Sequence, residues 1–265
     1  ATIDYNTDNW NRWVFEYQYD ARGRQIEKKV PGAAKEYFVY DKWDRLIMSQ
    51  DGYQAEKGFW KFNKYDALDR NIYAGIKTDG NSRSTHQTNA NNTVDRYESK
   101  NDTEPYYSLS TTYPTVSVGD IWLANYFDDY TKFRTTDTLK FIAGQTESTL
   151  YANTRGQLTG SYERSSIDNA WLKSANYYDS KNRLIQSRKI HHLSINYSEP
   201  DKTEADVNSI EYNFAGDVVK QIGNIKKTGV SNLPFSNQNN VDLLGRITGN
   251  FHTVKTLQQN IATYI

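Results

Sequence analysis

No cysteine occurs anywhere in the 265 residues, which excludes a disulfide scaffold, thiolate catalysis and cysteine-held metal. Net charge is lacking too: 32 basic residues balance 32 acidic ones, so no overall field draws the protein toward nucleic acid or an anionic membrane. No apolar run approaches the roughly 20 residues of a membrane-spanning helix, and direct membrane insertion is not expected. The opening ATIDYNTDNW has neither an initiator methionine nor a basic-then-apolar leader, so further sequence is expected upstream. Methionine occurs once, and leucine and alanine are sparse for a helical protein. No stretch is rich enough in Pro or Gly-Ser to separate two domains.

What abounds is tyrosine: 21 copies, beside six Trp and ten Phe. That mixture favours pleated, half-buried surfaces. A search for internal repeats explains its placement. The octets YDARGRQI at 19–26, YDKWDRLI at 40–47, YDALDRNI at 65–72, YDSKNRLI at 178–185, YNFAGDVV at 212–219 and VDLLGRIT at 241–248 share one grammar. The first slot is Tyr19, Tyr40, Tyr65, Tyr178 or Tyr212, with Val241 in the last copy, and it ends a strand. In FEYQY, for example, Phe15, Tyr17 and Tyr19 alternate onto one face. The second slot is Asp20, Asp41, Asp66, Asp179, Asn213 or Asp242, side chains that accept a bond from the backbone two residues on and start a turn.

The fifth slot is Gly23, Asp44, Asp69, Asn182, Gly216 or Gly245, the residue types that best tolerate positive φ. A hairpin whose type I turn is closed by one left-handed residue requires this. The sixth slot is Arg24, Arg45, Arg70, Arg183 or Arg246, replaced once by Asp217, and a short apolar strand follows. The slot-two Asp and the slot-six Arg lie on opposite sides of the turn, where an ion pair is expected to brace it. If exposed, such a pair contributes only about 0.2–1 kcal/mol. Six near-identical turns point to structure, not to six active sites.

Dense repeats occupy 1–75. Residues 76–150 hold a polar insertion, TDGNSRSTHQTNANNTVDRYESKNDTE, with no periodic apolar face, expected as a long loop or a locally reorganised segment. Worn repeats follow it, with YFDDY as a degraded turn and TRGQLTGSYE keeping Gly156. Repeats resume over 151–265. The expected architecture is all-β, repeated antiparallel hairpins in one continuous 1–265 assembly. The tail TLQQNIATYI reads as a strand reaching Tyr264 in mid-repeat, as in a window on a longer protein.

Candidate chemistry is thin. His191-His192 is the one adjacent histidine pair, while His86 and His252 stand alone. Zinc or general-base use needs partners at set spacings, and neighbouring strand residues point to opposite faces. Asp128-Asp129 is separated by the same alternation and fits a worn turn. Neither a Walker loop nor spaced dinucleotide glycines are present. No catalytic residue, metal or cofactor is therefore expected. The aromatics admit a second reading, sugar stacking, against sheet packing at roughly 0.2–1 kcal/mol per cross-strand pair.

The octet resembles the YD repeat of the Rhs family, and the resemblance covers nearly the whole chain. YQYDARGRQIEKKVPGAAKEYFVYDKWDRLIMSQDG through KYDALDRNIYAGI, and GQLTGSYERSSIDNAWLKSANYYDSKNRLIQSRKIHH through YNFAGDVVK, are similar to the wall-associated-type Rhs-repeat proteins of Bacteroidetes, in which YFDDY has a counterpart. The resemblance implies a β ribbon spiralling into a hollow shell, as in other Rhs proteins, toxin-complex cocoons and teneurins. In many relatives the shell encloses a C-terminal toxin released by self-cleavage. No segment here matches the cleavage segment or a toxin domain. The implied role is thus wall without cargo, with the rest of its own shell and an enclosed C-terminal polypeptide as partners. Relatives of this type imply a secreted or cell-surface location and export through the type IX outer-membrane machinery. The export signal would lie beyond this sequence.

Overall fold

The computed structural model describes residues 12–131, 139–166, 169–190, 205–227, 230–242, 246–255 and 257–263. The chain divides into two compact units, Ala1–Ala124 and Asn125–Ile265. Both are all-β and antiparallel, with strands following one another in chain order.

The first unit contains β1 (Glu16–Tyr19), β2 (Gln25–Lys29), β3 (Glu36–Tyr40), β4 (Leu46–Gln50), β5 (Phe59–Tyr65), β6 (Asn71–Thr78) and the start of β7 (Ile121–Asp128). Strand alternation is plain in β5, where Trp60, Phe62 and Lys64 turn inward while their neighbours stay more open. With Val39, Ile47, Met48, Ile72 and Ile121, Trp60 and Phe62 make the core, each large apolar side chain contributing about 1.5–3 kcal/mol by its burial. Gly75 of β6 has no alternative in this packing. A Cβ there would lie 2.0 Å from the Asp120 carbonyl oxygen and 2.9 Å from the Phe62 ring.

Among the described residues two complete α-helices decorate this sheet. Between β4 and β5, α1 (Gly52–Lys57) is opened by a capping box in which Asp51 and Gln54 each bond the other's backbone, and closed by Gly58 at φ 70°. Between β6 and β7, the polar stretch expected as a long loop or a locally reorganised segment is a folded cover. It begins with α2 (Arg83–Asn92), capped by Ser82, and its residues His86, Ala90, Glu98, Tyr107 and Val116 are buried. Its sequence hid this because most of what it buries is polar or isolated. Hydrogen bonds hold Glu98 and His86 Nδ1 individually, and no apolar stripe results.

The second unit contains the rest of β7 and β8 (Thr154–Arg164), β9 (Trp171–Tyr178), β10 (Leu184–Lys189), β11 (Asp206–Tyr212), β12 (Val218–Lys227), β13 (Val230–Val241), β14 (Ile247–Val254) and β15 (Leu257–Thr263). Its buried cluster joins Tyr130, Leu139, Ala175, Tyr177, Ile185, Ile190 and Ala205. Tyr130 and Leu139 come from an excursion between β7 and β8, which is where the worn turn lies. Asp128 and Gly156 both hold positive φ, 79° and 87°. The Gly156 N–H donates to the Asp128 carboxylate at 2.8 Å, and Thr154 Oγ1 donates to the Asp128 carbonyl. YFDD and TRGQL are therefore two halves of one turn with residues 130–153 inserted between them.

Among the described residues no helix is long and apolar enough to cross a membrane.

Candidate functional site

Every hairpin bearing the octet has the same register. Slot one pairs with slot seven: Tyr19 with Gln25, Tyr40 with Leu46, Tyr65 with Asn71, Tyr178 with Leu184, Tyr212 with Val218 and Val241 with Ile247, each beside a register shift. The slot-five residues Gly23, Asp44, Asp69, Asn182 and Gly216 sit at φ 76°, 64°, 61°, 61° and 104°. Gly245 lies outside the described residues.

In five of the six copies one carboxylate organises the turn. Asp20 Oδ1 accepts from the N–H groups of Arg22 and Arg24 at 2.9 and 3.0 Å, and its Oδ2 accepts from Arg24 Nε at 2.7 Å. Asp41, Asp66 and Asp179 repeat the arrangement with Arg45, Arg70 and Arg183, each with the 2.7 Å Nε contact. Asp242 makes the same bonds to Arg246. The first four pairs are partly buried, with Asp41 8% and Arg45 12% exposed, whereas Arg246 is 75% exposed and its pair is a surface pair. Charge-assisted bonds in partly buried places contribute about 1.5–3 kcal/mol, more than an exposed pair would.

For Asp179, burial acts to raise the carboxyl, but the Arg183 backbone and guanidinium outweigh it and hold it below the usual range. Asp20 is held low in the same way by Arg24. Carboxylates so anchored act as turn braces and are not poised as bases near neutrality.

The fifth copy inverts the chemistry. Asn213 replaces the acid and Asp217 replaces the arginine, and Asn213 Nδ2 now donates to Asp217 Oδ2 at 2.9 Å. Asn213 Oδ1 still accepts from the N–H groups of Gly216 and Asp217. Donor and acceptor have exchanged sides; the backbone bonds of the turn persist, while the slot-two oxygen takes the slot-five N–H in place of the slot-four one.

The sequence showed each octet but not the link between octets. The Arg24 guanidinium lies 4.9 Å from the Tyr40 ring centroid, Arg45 lies 4.7 Å from Tyr65, and Arg183 lies 4.6 Å from Tyr212. Each tyrosine belongs to the next octet. The same arginines donate onward, Arg24 to the Asp41 carbonyl at 3.0 Å and to Asp44 at 2.8 Å, Arg45 to Asp69 at 2.6 Å, and Arg183 to the Asn213 carbonyl at 3.1 Å. Tyrosine answers backward: the hydroxyls of Tyr40, Tyr65 and Tyr212 donate to the carbonyls of Gln25, Leu46 and Leu184, the slot-seven residues of the preceding octets. Tyr178 does the same to Leu158, just after the split turn. Burial raises the phenols of Tyr40, Tyr65 and Tyr212 against the nearby guanidinium. A clue to this ladder was available in the co-occurrence of slot-one Tyr and slot-six Arg, since a planar cation stacks on a ring.

Other candidates are scattered. His252 contacts Asn237 in the β13–β14 pair, and His86 lies on α2 with its Nδ1 2.5 Å from the Tyr113 hydroxyl. His191 and His192 lie outside the described residues. Asp128 serves the split turn, and Asp129 Oδ1 accepts from the Thr131 N–H. Among the described residues no three His, Asp or Glu side chains converge as a metal site. A buried ion pair, Lys64 with Glu98, was not foreseen. Glu98 also accepts from Ser108 Oγ, Thr112 Oγ1 and the N–H groups of Thr111 and Thr112. No local sequence signal could have joined residues 34 apart.

A scan of protein-family models and a search of curated proteins give no match. Among solved structures, the chain is similar to TcdB2-TccC3, with 10% identity and a TM-score of 0.35 over 96% of this chain and 12% of that one. It is also similar to the Photorhabdus luminescens Tc holotoxin pore, with 10% identity and a TM-score of 0.33 over 90% of this chain and 11% of that one. The chain thus spans about an eighth of the length of the first of these.

Proposed function

We propose that this chain is a non-catalytic stretch of wall in a secreted Rhs-type shell, enclosing a C-terminal polypeptide, a toxin, and exported together with it. The observation that carries the reading is the ladder. Each slot-six arginine that stacks on the next octet's tyrosine makes one hairpin part of the seat of its successor, and a row so coupled extends as a sheet. The turn acids and arginines are occupied in holding that row together, which supports a structural role over a catalytic one. The partners on this reading are the remaining wall, the enclosed polypeptide and, during export, outer-membrane secretion machinery. Protease should digest an isolated copy of the enclosed polypeptide yet spare it within the full-length protein; equal digestion rates would overturn enclosure. Hydrolytic activity of the purified chain that disappears with one His or Asp substitution would overturn the non-catalytic assignment.

A second reading rests on a separate observation. Trp13, Phe15, Tyr17 and Tyr19 are 76%, 59%, 47% and 58% exposed, and their alternation sets them on one face. Such a row can stack on sugar rings at a cell surface. A glycan array should then give a saturable signal that Trp13→Ala and Tyr17→Ala weaken together, and an array without saturable binding eliminates this reading.

A further inference from the structure

His86 is the one buried histidine among the described residues, and neither reading above uses it. Its ring is fully covered and lies edge-on to Trp60 of β5, with centroids 4.6 Å apart. It sits one turn into α2, which also buries Ala90 and otherwise reaches the sheet through a few polar contacts. Arg83 Nε donates to the Phe38 carbonyl at 3.0 Å. Gln87 clasps Tyr40 by both backbone groups, donating to its carbonyl at 2.7 Å and accepting from its N–H at 3.2 Å. Remove the seat of His86, and what remains is a short polar helix that has little reason to stay folded.

We infer that α2 is an acid-released clasp on the first unit's sheet, with His86 as its trigger. The groups that face the imidazole explain the direction. Nδ1 meets the Tyr113 hydroxyl. Nε2 is buried without a close hydrogen-bond partner; Asp79 Oδ1 stands 3.9 Å away, Asp79 and the Asn81 backbone favour a second proton, and the Lys77 charge disfavours it. A second proton would place a full charge where water cannot reach. Asp79 and Asn81 would compensate part of it, and Lys77 would oppose it. Burial dominates, and it pushes the imidazole below the ordinary histidine value. The open helix takes the proton more readily than the closed one, so acid favours opening, by up to about tenfold in the equilibrium for each unit separating the two states. Release would uncover Trp60 and free the backbone groups of Phe38 and Tyr40.

Hydrogen exchange on the intact 265-residue chain tests this between pH 7.5 and 5, after correction for intrinsic rates. Amides of residues 86–92 should lose protection as pH falls while β5 and β6 keep theirs. His86→Phe retains a ring on Trp60 and cannot be protonated, so its protection should not vary with pH. Asp79→Asn removes the compensating charge and should steepen the acid response. Protection of 86–92 that holds constant or rises in acid would overturn the clasp, as would a His86→Phe chain with the wild-type pH dependence. Should His86→Phe fail to fold, Asp79→Asn decides alone: a weaker acid response than wild type would overturn the inference.

Discussion

Asp217 shows what the octet conserves. The usual copy needs an acceptor at slot two and a cationic donor at slot six, yet Asn213 and Asp217 close the same turn with the roles reversed. What the turn demands is a complementary pair across it, together with an oxygen at slot two to accept the backbone N–H groups. The pair should therefore be exchangeable. Asn213→Asp alone sets two carboxylates against each other and should cost about 1 kcal/mol, and Asp217→Arg alone should cost less. The double variant rebuilds the common pair, with a favourable coupling of about 1–2 kcal/mol in a double-mutant cycle read by urea melts. Purely additive effects would mean that Asn213 and Asp217 do not brace the turn. Slot five answers to the backbone instead. Nothing lies within 4 Å of a Cβ built on Gly23, but φ is 76° there, so Gly23→Val should cost about 1–3 kcal/mol through strain alone. The same melts measure it, and a neutral result would remove the left-handed assignment.

At the scale of elements, the strands were legible and the covers were not. Tyr, Asp, Gly and Arg at fixed offsets announced each hairpin that bears the octet, because a turn is a local problem solved by neighbours in sequence. Residues 79–120 solve a distant one. Glu98 meets Lys64 across the fold, and nothing near either residue predicts the meeting. Burial presses the Lys64 ammonium downward against the pull of Glu98. Glu98, though burial would raise it, is held below the ordinary glutamate value by Lys64, Ser108 and Thr112. Glu98→Gln would leave a buried cation without its counter-charge and should destabilise the first unit by about 3–5 kcal/mol. Lys64→Met with Glu98→Leu should recover much of that loss in denaturant melts. A Glu98→Gln chain as stable as wild type would show that the pair is dispensable. The acid side follows from the same depression. The unfolded chain binds this proton first, so the stability due to Glu98 is present above its ordinary value and declines as pH drops through the depressed one. Glu98→Gln should flatten that part of a pH–stability curve measured below pH 5.

For the whole chain, the ladder has a direction. Arg45 is held by Asp41 in its own turn and then reaches forward to Tyr65 and Asp69 of the next. Tyr65 returns one bond to the Leu46 carbonyl. Arrays in which each unit contacts only its neighbours behave as a sum of unit stabilities and nearest-neighbour terms, but here much of the neighbour term resides in the side chain of the earlier repeat. Removing it should be felt asymmetrically. Arg45→Ala should raise hydrogen exchange at its own turn and at residues 66–70. It should leave residues 20–24 nearly unchanged, because Arg24 keeps its own contacts with Tyr40, Asp41 and Asp44. Tyr65→Phe, which loses the hydroxyl and keeps the ring, should produce a smaller rise in the same forward place. If residues 20–24 open as readily as residues 66–70 in Arg45→Ala, the coupling runs through the sheet backbone and not through the arginines. The repeated Tyr and Arg would then be turn furniture, with no part in holding one hairpin to the next.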